Sequence, residues 1–88
     1  MVQVEPISSN TFRVTIDKGV TTTHEVHLSE DTALKLGGRL NEPRAIVEAA
    51  IDYLLEHESN TSILRNFDVK DIGVYFPDYE EEVRKRLG

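Results

Sequence analysis

The chain has 88 residues, carries ten Lys or Arg against sixteen Asp or Glu, and contains no cysteine. Its length allows one hydrophobic core, which predicts a single domain over residues 1–88, and the lack of cysteine excludes disulfides and thiolate metal sites and fits a cytoplasmic location. The formal charge of -6 disfavours binding to phosphate backbones and acidic lipids, and no stretch approaches the roughly 20 apolar residues that span a bilayer.

Two segments near the N-terminus alternate between apolar and polar residues. Residues 11–16 have the period of a half-buried strand, and residues 20–28 resume it after the turn sequence Asp17-Lys18-Gly19. Together they predict an antiparallel β hairpin. A further edge strand at residues 2–5, just before Pro6, is left open because only two valines indicate it.

Two helices follow the hairpin. Ser29 is placed as the N-cap of a short helix that Gly37-Gly38 ends, and Asn41 as the N-cap of a longer one. The apolar arc of residues 45–55 on the longer helix is wider than one docking face requires. This width predicts burial against two surfaces, one of which is a candidate for another subunit.

The C-terminal third is predicted to contain short helices. Residues 62–67 have a spacing that suits a helical turn or two, Asp68 is placed to cap a further short helix, and Pro77 or Asp78 opens the last one. The expected ion pairs on the last helix are Glu80/Arg84, Glu81/Lys85 and Glu82/Arg86. The elements together predict an α+β fold, in which the N-terminal antiparallel hairpin packs against one long helix and two to four short helices.

The histidines do not predict a metal site. His24 and His27 lie three residues apart on a strand, where side chains point to opposite faces, and their polar neighbours favour a solvent-facing position for both. His57 falls at the end of the long helix, where a positive charge suits the helix dipole. We therefore expect no metal ligands among them.

No catalytic or cofactor motif is present. The serines fall at caps or corners, and Asp52, Glu56 and Glu58 crowd the exposed side and end of one helix, as in a solvated face. The pair Gly37-Gly38 lacks the preceding strand, the later glycine and the lysine of a nucleotide-binding loop. The sequence thus predicts a non-enzymatic protein without catalytic residues or cofactor.

Tyr75, Phe76 and Tyr79 surround Pro77 and form an aromatic corner that has two interpretations. Its residues could form a peptide-docking surface or could lock the last helix onto the core, and the second is favoured because a small domain needs its few aromatics inside. With one side of the long helix it makes up the candidate interaction surface, which comprises Ala45, Ala49, Tyr53, Tyr75, Phe76 and Tyr79.

Residues 23–36, Gly38-Arg39 and 46–54 resemble the ribbon-helix-helix DNA-binding domains in their hydrophobic pattern. The resemblance implies a strand that pairs with its dimer mate in the major groove. It also implies that His24, Glu25 and His27 read bases and that Asn41 meets phosphate. The sequence departs from the family because residues 21–30 contain no Lys or Arg and because the strand at 11–16 would compete for the pairing edge.

Residues 63–68 and 75–80 are similar to small bacterial proteins of uncharacterised function, which implies a stand-alone bacterial domain but no activity or ligand. The main expectation is a protein-interaction or dimerisation module of a bacterial cytoplasm, with a partner protein or a second copy as its ligand. The alternative is a ribbon-helix-helix regulator or antitoxin-like repressor that binds nucleic acid. Neither hypothesis involves a membrane.

Overall fold

A four-stranded sheet forms one layer of the protein, and helices cover one of its faces. This is the predicted α+β fold. The computed structural model describes residues 1–37 and 40–88. The strands are β1 (Val2–Ser8), β2 (Thr11–Asp17), β3 (Thr21–His27) and β4 (Asn66–Asp68). The helices are α1 (Glu30–Lys35), α2 (Pro43–His57), α3 (Ile72–Tyr75) and α4 (Tyr79–Leu87), with 3₁₀ turns at Asn60–Ser62 and Val69–Asp71. No helix within the described ranges is both long and apolar enough to cross a membrane.

The sheet order is β1-β2-β3-β4, with the first three strands antiparallel and β4 parallel to β3. The edge strand left open at residues 2–5 is present and runs on to Ser8. Met1 and Asp17 exchange both backbone hydrogen bonds, so the alternation of an antiparallel pair turns the backbone groups of Val2, Val4 and Pro6 away from β2. The backbone N–H of residue 6 would therefore point away from β2, so a proline at this position removes no hydrogen bond between β1 and β2.

Helix α2 is the centre of the core, and its apolar side is buried against the sheet and against α4. The predicted burial against two surfaces is found, but both surfaces belong to this chain. Its buried residues are Ile46, Val47, Ala49, Ala50, Ile51, Tyr53 and Leu54. Covering this face removes the main reason for expecting a second subunit there.

The start of α1 was predicted correctly and the start of α2 was not. Ser29 caps α1, where its side chain accepts a hydrogen bond from the backbone N–H of Thr32. The N-cap of α2 is Glu42, and Asn41 instead donates from its side chain to the carbonyl of Gly37 at 3.2 Å. Gly37 has a φ of 101°, which suits the end of α1, while Gly38 and Arg39 lie outside the described residues.

The helix predicted at residues 62–67 is wrong. A 3₁₀ turn ends at Ser62, and the chain then extends into β4, whose residues pair with Glu25, Val26 and His27 of β3. The backbone N–H of Glu25 also donates to the carbonyl of Arg65 at 2.7 Å. Hydrogen bonds to a distant strand therefore decide the conformation of a segment whose local spacing favours a helix.

Helix α4 is held by ion pairs along its exposed side. The predicted pairs Glu80/Arg84 and Glu81/Lys85 are present at 3.8 and 3.6 Å, but the pair Glu82/Arg86 is not. Instead Arg86 reaches Glu56 of α2 at 2.8 Å, and its hydrogen bond lowers the pKa of the Glu56 carboxyl. Glu82 contacts Lys85 at 3.2 Å. One predicted pair within the helix is thus replaced by a contact between helices.

Helix α3 packs closely on Tyr79, the first residue of α4. A Cβ atom at Gly73 would lie 2.7 Å from Cε1 of Tyr79, whose side chain is buried. We expect Gly73→Ala to lower the free energy of unfolding by about 1–3 kcal/mol, because the ring has to move in a packed site. Val74→Ala, at the exposed neighbouring position, is the control and is expected to change it by less than about 0.5 kcal/mol in chemical denaturation. Equal effects of the two variants would contradict the close packing.

Candidate functional site

An open groove lies between the end of α2 and the segment from residue 62 to residue 76. Its volume is about 290 Å³. We call it the aromatic groove and define it by its apolar lining, which is Leu54, Leu64, Phe67, Ile72, Tyr75 and Phe76. Ser62, Glu58 and Asp71 complete the lining. The groove is thus an apolar concavity with a few polar groups, as is typical of binding sites.

Local structure places the walls of this groove. Strand β4 holds Phe67 at its centre, and Asp68 then accepts a hydrogen bond from the N–H of Lys70 at 3.1 Å, which starts the turn that leads into α3. Helix α3 presents Ile72 and Tyr75, while α2 supplies Leu54 from its last turn. Leu54, Phe67 and Ile72 are buried in the core and form the floor of the groove, so the groove has a fixed base.

Two of the groove residues are large apolar side chains in open solvent. Tyr75 is 69% exposed and Leu64 is 58% exposed, and Val74, next to Tyr75 on α3, is also exposed. Exposed apolar residues that cluster at a concavity mark interaction sites more often than scattered ones do. Tyrosine in particular favours interfaces, because it combines apolar area with a polar tip.

The structure divides the predicted interaction surface. Tyr75 and Phe76 line the groove, and Ala45 is half-buried. Ala49, Tyr53 and Tyr79 are buried inside this chain, so they offer no surface to a partner. Tyr79 thus lies in the core, as the second interpretation of the aromatic corner predicted, whereas docking at Tyr75 and Phe76 stays a prediction. Sequence reasoning missed Leu64 and Phe67 as members of the site, because they join it only through β4.

Tyr53 forms the support beneath the groove. Its hydroxyl donates to Asp78 at 2.7 Å, which ties α2 to the start of α4. Its ring centroid lies 5.9 Å from that of Phe76 in an edge-to-face arrangement and 4.6 Å from that of His57, the last residue of α2 as predicted. The Tyr53 ring thus packs against Phe76, one of the residues that line the groove.

The burial of Tyr53 has a consequence for alkaline stability. Burial, followed by the hydrogen bond to Asp78, raises the pKa of the Tyr53 phenol to about 12. The unfolded chain loses this proton near pH 10, so the contribution of the phenol to stability is full below about pH 10 and is lost as the pH rises through about 12. We expect the free energy of unfolding to fall over this interval.

Urea unfolding at a series of pH values measures this decline, and tyrosinate absorbance reports the ionisation. In Tyr53→Phe the decline should be smaller but still present, because burial also raises the pKa of Tyr79. An identical decline in the variant and the parent would contradict the role given to Tyr53.

His24 is buried, contrary to the prediction that it faces solvent, and it completes a polar network beneath the sheet. Its Nδ1 donates to the carbonyl of Leu64 at 2.7 Å, because a carbonyl can only accept. Nε2 is hydrogen-bonded to the hydroxyl of Thr22 at 2.8 Å, and Thr22 accepts from Asn60 Nδ2 at 3.0 Å. Asn60 Nδ2 also donates to the carbonyl of Val20 at 2.9 Å. The network fixes Asn60 and the backbone of Leu64 to the hairpin.

His27 lies on the opposite, outer face, as the spacing predicted. Its Nε2 donates to Asn66 Oδ1 at 3.1 Å, because an amide oxygen can only accept, and its Nδ1 is hydrogen-bonded to the hydroxyl of Thr11 at 3.1 Å. Asn66 donates in turn to Glu25 at 3.1 Å. These contacts join β2, β3 and β4. In the parts of the chain that the structure describes, no three His, Asp or Glu side chains come together as metal ligands.

The outer face of β3 is also where the ribbon-helix-helix resemblance places base-reading residues. Glu25 and His27 do face outward, but His24 faces the core. Strand β3 lies between β2 and β4, so the dimer pairing that the resemblance implies is not open to residues 25–27.

Comparison of the chain with protein-family models, curated proteins and solved structures finds no match. The DNA-binding alternative stays a prediction, and the apolar lining with exposed Leu64 and Tyr75 makes the aromatic groove the candidate site.

Proposed function

We propose that this chain is a non-enzymatic protein-interaction domain and that a partner protein binds in the aromatic groove. The observation that carries the proposal is the concentration of exposed Leu64 and Tyr75 at the rim of an apolar concavity with a buried base. Such a site offers apolar area to a partner at little ordering cost, because the elements beneath it are already packed. A cytoplasmic location fits the absence of cysteine.

The chemistry of the polar side chains supports binding over catalysis. Both histidines of β3 have their ring nitrogens engaged with neighbouring strands or loops, and this use is structural. Ser62 is the serine in the lining of the groove. Its hydroxyl is hydrogen-bonded to that of Ser59 at 3.3 Å and not to a histidine. A nucleophile oriented by a base is therefore not assembled in the groove.

Selection of peptides from a random display library on the immobilised chain tests this function. We expect enriched sequences that bind the parent chain and lose binding to the double variant Leu64→Ser/Tyr75→Ser. Both replaced side chains are exposed, so the variant should fold as the parent does. The control is Val20→Ser/Leu34→Ser, which also replaces two exposed apolar side chains, away from the groove, and should keep binding.

Two outcomes would overturn the proposal. One is a library that yields no enriched sequence on the folded chain. The other is a set of sequences that bind the groove double variant as tightly as the parent, which would place the interaction elsewhere on the surface.

A further inference from the structure

We infer that the partner segment presents one large apolar side chain flanked by lysine or arginine. This inference rests on the proposed function and adds the chemical class of the partner. It follows from the two charged residues that line the aromatic groove, Glu58 and Asp71, which are both acidic.

Glu58 and Asp71 come from two different parts of the chain that line the groove. Glu58 ends α2 as its C-cap, and Asp71 ends the 3₁₀ turn before α3. Within residues 1–37 and 40–88, neither carboxylate forms an ion pair with a basic side chain. A Lys or Arg of a bound segment could therefore pair with either one without breaking an existing ion pair among these residues.

The size of the groove limits what it can accept. A volume of about 290 Å³ lies at the lower end of the range for ligand pockets, which is roughly 300–1,000 Å³. It suits a single bulky apolar side chain on the floor formed by Leu54, Phe67 and Ile72. The rest of the partner segment then contacts the remaining lining of the groove, which includes both carboxylates.

Charge also argues against a second copy of this chain as the occupant. The chain has a net charge of -6, and a groove-to-groove dimer would bring Glu58 and Asp71 of both copies into one interface. Like charges in an interface are unfavourable, whereas a basic segment is attracted both by the carboxylates of Glu58 and Asp71 and by the net charge of the chain. The complementarity therefore favours a partner of opposite sign.

The test compares peptides selected on three forms of the chain. These are the parent, the groove variant Glu58→Gln/Asp71→Asn, and the control Glu5→Gln/Glu42→Gln, which makes the same change in net charge at exposed positions outside the groove lining. We expect an excess of Lys and Arg around an apolar residue in peptides from the parent and the control, and a much smaller excess in peptides from the groove variant. A selected peptide resynthesised with Glu in place of its basic residues should bind the parent about tenfold more weakly at low salt.

Each other result overturns the inference in a recognisable way. Peptides that depend on Leu64 and Tyr75 but carry neutral or acidic flanks would refute the basic partner and leave the proposed function standing. The absence of any peptide that depends on these two residues would remove both. A dimer in light scattering that Leu64→Ser/Tyr75→Ser abolishes would show that the occupant is a second copy.

Discussion

Replacement of Tyr53 by alanine is expected to lower the free energy of unfolding by about 3–5 kcal/mol, which is a large share of the stability of a small domain. The Tyr53 side chain is 1% exposed and contacts Phe76 and His57 by its ring and Asp78 by its hydroxyl. Its removal leaves a cavity between α2 and α4 that the surrounding elements fill only in part. Chemical denaturation followed by circular dichroism measures the change.

Tyr53→Phe separates the ring from the hydroxyl. This variant keeps the packing and loses the hydrogen bond to Asp78, whose carboxylate is exposed and can turn to water. We expect a cost of about 1 kcal/mol. If the phenylalanine variant were as unstable as the alanine variant, the hydrogen bond rather than the packing of the ring would hold α2 to α4.

Replacement of His24 by alanine is expected to lower the free energy of unfolding by about 3 kcal/mol. The loss combines a cavity under the sheet with two lost hydrogen bonds, one to the carbonyl of Leu64 and one to the hydroxyl of Thr22, which keeps its bond from Asn60. The segment around Leu64 should become mobile before the hairpin does, because His24 is one of its ties to β3. In amide hydrogen exchange, His24→Ala is expected to lose more protection relative to the parent in β4 than in β2.

His27→Ala is the matched control, since it removes the same side chain from the same strand on the outer face. His27 is part-exposed, so water can replace its contacts with Thr11 and Asn66. We expect this variant to lose less than about 1 kcal/mol. Equal losses at the two positions would contradict the different burial of the two histidines.

Local pattern was sufficient for the elements whose contacts are close in sequence. The alternation in β2, the side-chain cap at Ser29 and the apolar arc of α2 all predicted their elements correctly. Period-two counting back from Val26 also places His24 on the buried face, so a signal for that position existed. The general preference of polar side chains for solvent indicates the opposite face, and this preference fails where neighbouring groups supply hydrogen bonds, as they do for His24.

Long-range pairing decided what the pattern could not show. Strand β4 has three residues and joins the sheet some forty positions after its partner β3, as in the pair Glu25 and Asn66. No local periodicity indicates such a strand, and without it Leu64 and Phe67 could not be assigned to one site with Tyr75. The aromatic corner was therefore visible in the sequence as a cluster, whereas the concavity was not.

The position of Pro6 bears on how this protein avoids sticking to itself. Strand β1 is a sheet edge, and an edge with a complete row of outward amide groups is a template for growth into fibrils. Pro6 interrupts that row, and exposed Glu5 adds charge beside it. This edge of the sheet is thus unfavourable for backbone pairing with other chains, so growth into fibrils along β1 is opposed while the aromatic groove stays open to solvent.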